Sequence, residues 1–350
     1  MTVSAELLAL GVGLGEAFDG QDFRGGRYEG VYLAGGMFSS SSWAAADLRQ
    51  CDGREAVFDH CDLAGATLAG ANLRHAVFNR CSLVHADLRG ANLHAATFNE
   101  CDLSHAQMAQ AWLGMAKLQG CSLQHAGLHG CELDSTTLSE CSLVDVNADG
   151  TRWLHTVVAG CDVTQLTWQG ATMTRASFFR TPLPGKRFDG GRFESCQFSQ
   201  CDLSGCSFVG AQLSQCNFQG STLDGCNFAD AQAPMAVFAQ ARGREVVFTG
   251  ARLRQSLFGG AALPGARFAG ADLYQCHFAG AVLKGALLAD ADCTYADFSG
   301  AVLRAADLRG AVLLRAVLHA TDLEAAQLTD AARALGTDPV RARAENWTAA

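Results

Sequence analysis

Proline is scarce in this 350-residue chain, at 5 residues, and only 17% of the residues are charged. No apolar run approaches the ~18 residues that a membrane-spanning helix needs. No Lys or Arg precedes Arg24, and Glu6 interrupts the one early apolar run, so the N-terminus does not read as a secretory signal. The sequence therefore reads as cytoplasmic, or as exported by a route that needs no signal. Metalloprotease, phosphate-loop and nucleophile-elbow motifs are all missing, and no enzymatic activity or cofactor is expected. Gly11, Gly13 and Gly15 form a short glycine run without the spacing of a dinucleotide loop, and end-cap flexibility accounts for it. Cys-x-x-Cys is also absent, which removes zinc-ribbon spacing although 15 cysteines are present.

What the chain does contain is a period of five. From Phe18 to Leu328, 63 consecutive pentads run without insertion or deletion, and 31 of their centres are Leu and 19 are Phe. Two residues before each centre stands a small residue, most often Ala or Cys, and two residues after it is the usual site of Gly. Five matches neither the 3.6 of a helix nor the 2 of a strand. It fits a chain that turns a corner every five residues, with Gly easing the turn because it tolerates φ > 0.

Stretches such as Ala86-Asp87-Leu88-Arg89-Gly90, Cys201-Asp202-Leu203-Ser204-Gly205 and Ala306-Asp307-Leu308-Arg309-Gly310 resemble the pentapeptide-repeat family. The resemblance implies an all-β fold, a right-handed quadrilateral parallel β-helix with four pentads per coil. It covers about nine-tenths of the chain, or about 16 coils. A 20-residue coil has independent support, because Phe18, Phe38, Phe58, Phe78 and Phe98 then stack, as do Phe198 to Phe298. Residues 1–15 are expected to cap one end, 16–330 to form the β-helix, and 331–350 to form a helical cap. AARALG and DPVRARAENW read as short helices within that tail. Weak centres between 144 and 188 mark an expected kink or seam.

Fourteen of the cysteines take the small inward position and Cys293 is a centre, so they read as packing residues. His85, His105 and His125 stack at an outward corner and are the only weak metal candidates; no metal is assigned to them.

A filled coil leaves function to the outer faces. The net charge of −9 arises wholly in residues 1–175, with 19 acidic against 10 basic residues. Asp22, Asp62, Asp102, Asp162 and Asp202 fall on one face by the 20-residue spacing. Trp112, Tyr274, Tyr295, Val302, Val312, Leu314, Val317 and Trp347 are the outward or tail residues expected to meet a protein partner. Direct nucleic-acid binding is not expected. The resemblance implies a bacterial protein-binding scaffold or adaptor, such as an accessory of a type VI secretion system, with pairing of two copies through the C-terminal end. Its alternative is a DNA mimic that binds gyrase or topoisomerase through the acidic face, giving inhibition or quinolone protection.

Overall fold

A computed structural model describes residues 3–329 and 331–345 of the chain. The architecture is a parallel β-solenoid of about 16 turns. It divides into two compact units, Met1–Thr181 and Pro182–Ala350, and the boundary falls inside the stretch of weak centres.

In the first unit one face is a nine-stranded parallel sheet of three-residue strands in sequential order, from Ala17–Asp19 to Ser177–Phe179. Its register steps by 20 residues, pairing Phe18 with Phe38, Phe38 with Phe58, Phe58 with Phe78 and Phe78 with Phe98. The rings stack at 5.4, 5.1, 5.0 and 4.8 Å between centroids. The other faces pair mostly through single bridges at the same step, as in Asp62↔Ser82 and Asp47↔Thr67, while Arg152–Leu154 and Thr172–Thr174 pair as short parallel strands. Alternation follows from pleating: the small residue and the centre point inward, and the residues beside the centre point outward. In the second unit Phe198, Phe218, Phe238, Phe258, Phe278 and Phe298 stack at 4.7–5.3 Å. A second column, Phe188 to Phe268, meets it edge-on, as between Phe228 and Phe238 at 5.5 Å.

Most corners outside the three-residue strands share one turn bond. The N–H of the small residue donates to the carbonyl of the preceding centre, as from Ala66 to Leu63 at 3.0 Å. That turn places the intervening corner residue in the left-handed region. All 63 corners from Gly15 to Ala325 have φ between 48° and 77°, and only 27 of them are glycine. The other 36 include Met115, Tyr295 and several Arg and His residues. Glycine is therefore favoured at the corner but not required, because the turn bonds and rung ladder hold the less comfortable residues there.

The cysteines line the interior as expected: all 15 are free and buried. Cys81, Cys101, Cys121 and Cys141 each donate to two carbonyls, one two residues back and one 23 residues back, at 3.3–3.4 Å. Thr136 fills the same slot and donates to the Leu113 carbonyl at 2.7 Å.

The two ends differ from the body. Helix α1, Ala5–Gly13, has Ser4 as N-cap and buries Leu8, Gly11 and Val12 against the first coil. The glycine run is thus helical at Gly11 and Gly13, not a loose end. A Cβ on Gly11 would come within 2.8 Å of the Phe18 ring, so close approach sets that glycine. At the other end Ala331–Gly336 does not form the helix its composition suggests. Leu335 instead bridges to Val317, and its N–H and C=O bond Ala316 and Leu318 at 2.7 and 2.8 Å. Ladder bonds to an exposed rung outcompete a helix too short to sustain itself. Helix α2, Pro339–Glu345, follows. It is tethered by His319, whose Nδ1 accepts the Asp338 N–H at 3.1 Å and whose Nε2 donates to Glu345 at 2.9 Å.

Candidate interaction surfaces

Tyr274, Tyr295, Val312 and Leu314 come together in the second unit. The rungs Arg252, Asp272, Asp292 and Val312 form one ladder, and Tyr274 and Leu314 stand two residues after Asp272 and Val312 on the same face. Tyr295 occupies the adjoining corner, its N–H donating to the Leu314 carbonyl at 2.9 Å. The tyrosine rings meet edge-on at 5.8 Å. Arg254 lies over Tyr274 at 4.5 Å and Arg315 over Tyr295 at 6.0 Å, and Asp272 holds Arg254 from the side at 3.7 Å. Tyr295, Val312 and Leu314 are exposed. The patch therefore offers two oriented aromatic rings, two aliphatic side chains and two guanidinium groups whose flat faces are already committed to the rings.

Val302 and Val317 do not join it. Val302 follows Ala262 and Val282 on a separate ladder that ends at Asp322. Val317 pairs with Asp297 and with Leu335 of the tail. Both are half-buried. Trp347 lies outside the described residues.

Trp112 sits in the first unit between Asn92 and Glu132 and remains 41% exposed. Its ring lies 4.7 Å from that of His94 and leans over Gly114, where a Cβ would come within 2.7 Å of the indole nitrogen. The indole is thus packed in part on its own protein and in part exposed.

The acidic residues have local work. In the first unit Asp22, Asp62, Asp102 and Asp162 share a ladder with Ser42, Ser82, Ser122 and Ser142; Asp202 pairs with Thr222 in the second. Each of the five carboxylates accepts the backbone N–H two residues on, at 2.9–3.1 Å. The sequence by itself assigns the arginines of the acidic half no partner. The structure shows a repeated Asp-x-Arg clamp instead: Arg24, Arg49, Arg54 and Arg89 each grip the Asp two residues earlier through Nε and Nη2 at 2.7–2.8 Å. Arg309 does the same to Asp307, holding that carboxyl down to about 2 through its hydrogen bonds and charge. The recurring Asp-x-Arg spacing was the available signal. Much of the negative charge is therefore neutralised where it stands.

His85, His105 and His125 stack with ring centroids 4.7 and 4.8 Å apart, and Asp145 lies 3.6 Å from His125. The rings lie one above another instead of converging. Among the described residues no group of three or more His, Cys, Asp or Glu could hold a metal ion. Histidine tolerates the left-handed region better than most side chains, which accounts for its use at these corners. Burial raises the thiols of Cys51, Cys131 and Cys206 to about 12. Among the described residues no helix is long and apolar enough to cross a membrane.

A corner every five residues, a 20-residue rung step and a small-residue interior define a four-sided pentad solenoid that carries its chemistry on outer faces. A family model described as Pentapeptide repeat region matches residues 54–128 and 191–268. One described as Pentapeptide repeats (8 copies) matches 116–152, 266–304 and 296–331. The chain belongs to the pentapeptide repeat family. Among solved structures it is similar to HetL, a pentapeptide repeat protein involved in heterocyst differentiation regulation from the cyanobacterium Nostoc sp. That match has 24% identity over 74% of this chain and 90% of HetL, with a TM-score of 0.29. It is also similar to QnrB1, a plasmid-mediated fluoroquinolone resistance protein, at 18% identity over 62% of this chain and 93% of that one, with a TM-score of 0.32. Rfr23, a pentapeptide repeat protein from the cyanobacterium Cyanothece, matches at 15% identity over 45% and 91%, with a TM-score of 0.20. No curated protein matches the chain.

Proposed function

We propose that the protein is a non-enzymatic interaction scaffold that binds a protein partner through the Tyr274, Tyr295, Val312 and Leu314 patch. The observation that carries this reading is the packing of the patch: two rings fixed by Arg254 and Arg315 beside exposed Val312 and Leu314. Tyr and Arg dominate the residues that anchor protein interfaces, and rings already held in place lose little freedom on binding. A photo-crosslinking amino acid at Val312, used in the native host, tests it. A discrete adduct with one protein, lost on Tyr295→Ala and not formed from Val302, is expected. Equal crosslinking from both positions would remove the patch from the function. An adduct of two copies of this chain would make the patch the surface of a homodimer near the C-terminal end.

A second reading, mimicry of DNA toward a topoisomerase, draws on the ladder that alternates Asp22, Asp62 and Asp102 with serines in the first unit. The Asp-x-Arg clamps weigh against it, because each sets a positive charge directly against a carboxylate of the acidic half. Purified protein at micromolar concentration in a gyrase supercoiling assay decides the matter. Salt-sensitive inhibition or quinolone protection would support mimicry, and no effect would end it.

A further inference from the structure

Helix α1 is apolar on two sides, which a helix at a protein surface does not need for its own packing. Leu8, Gly11 and Val12 supply the side turned to the first coil. Leu7, Leu10 and Leu14 are 63%, 59% and 70% exposed. At about 100° per residue these three fall within roughly 60° of arc, and seven residues of rise spread them over about 10.5 Å, two turns of helix. They form a ridge, not scattered surface leucines.

Its borders are acidic. Glu6 stands one residue before Leu7 on the outer flank, and the Glu16 carboxylate lies beside Gly11 on the inner flank, 2.8 Å from where a Cβ would be. Glu6 and Glu16 are exposed and form no ion pair among the described residues. Between Val3 and Phe23 stand Glu6, Glu16, Asp19 and Asp22 without a Lys or Arg, and the first arginine, Arg24, is clamped by Asp22.

We propose that α1 is a docking ridge for a basic amphipathic helix of a partner protein. An apolar stripe with carboxylates on both flanks complements a helix whose apolar stripe is flanked by Lys or Arg. The same charges oppose the other occupants. A second copy would set Glu6 and Glu16 against their own kind, and an anionic lipid surface would meet the same repulsion. This surface lies in the first unit and stands independently of the tyrosine patch.

The test uses the full chain and a designed, fluorescently labelled two-faced peptide of Leu and Lys, with a Leu and Glu peptide of the same pattern as control. Anisotropy should show binding of the Lys peptide only, weakening as NaCl rises from 50 to 300 mM. Burial of one leucine is worth enough that Leu10→Asp should weaken binding at least ~10-fold. Glu6→Lys with Glu16→Lys should do the same while leaving the leucines in place. Circular dichroism checks that each variant keeps the fold, which is expected because these side chains are exposed. Equal binding to Leu10→Asp would show that the peptide sits elsewhere on the acidic surface and would overturn the proposal. So would binding of the Glu peptide, or a dimer of the free chain that Leu10→Asp dissolves.

Discussion

Phe238 offers the sharpest measure of what holds the solenoid together. Its side chain is fully buried, stacked between Phe218 at 4.9 Å and Phe258 at 4.8 Å, with Phe228 and Phe248 edge-on at 5.5 and 5.4 Å. Truncation to Ala removes the ring and leaves a cavity, at a cost of about 3–5 kcal/mol. Phe238→Leu is gentler, because the coil accepts Leu in such a column: in the first unit the register passes from Phe98 to Leu118 without a break. It forfeits ring contacts worth ~0.5–1.5 kcal/mol each and regains part of that in aliphatic contact, so about 1–3 kcal/mol is expected. Phe258→Leu should then cost less in the Phe238→Leu background than alone, by about 0.5–1.5 kcal/mol, since the shared stack is already gone. Phe298→Leu, three rungs away, should add independently. A repeat array need not unfold as one unit, so the readout is native-state hydrogen exchange at the Phe238 amide, which donates to the Leu257 carbonyl at 2.7 Å. If the near and far pairs couple equally, the rungs are not nearest-neighbour units. If neither couples, stacking adds nothing beyond burial, and the ring ladder does not hold the solenoid together.

Other consequences can be checked directly. No thiol should react with Ellman's reagent in the native protein and 15 should react once it is unfolded, because burial keeps groups such as Cys51 protonated up to about 12. A reactive native thiol would place a cysteine outside the coil. Asp307 should titrate at about 2 by carbon-detected NMR, and Arg309→Gln should return it towards the usual aspartate range. Because the folded value is depressed, this clamp helps the fold fully above about 3.9 and is lost as pH falls through 2. An unshifted Asp307 would mean that the clamp does not persist in solution. Gly65→Ala should cost about 1 kcal/mol through backbone strain alone, since φ is +64° and a Cβ there meets nothing within 4 Å. A neutral substitution would show that the corner imposes no such conformation.

The period of five made the coil, its inward columns and the role of the cysteines legible, because a one-dimensional core repeats its demands at fixed sequence distance. Phe38 over Phe58 and Cys81 over Cys101 need no knowledge beyond the 20-residue step. The Asp-x-Arg spacing is also in the sequence, at Asp87-Leu88-Arg89 and its repeats, but composition alone counts these residues as opposing charges and not as pairs. That two residues separated by an inward centre reach each other depends on the pleat, which places both on the outside.

The sequence by itself therefore determined the solenoid and which side of the chain faces in. Only the tertiary structure decided which outward residues meet. Val302, Val317, Tyr295 and Val312 look alike as a C-terminal cluster, yet the ladders send Val302 to another face and cover part of Val317 with Leu335. The ends were decided there too: an open rung offers unpaired N–H and C=O groups, so Ala331–Gly336 takes ladder bonds where its composition favours a helix. Inward positions answer to a local repeat, while surfaces and ends answer to neighbours that the repeat does not name.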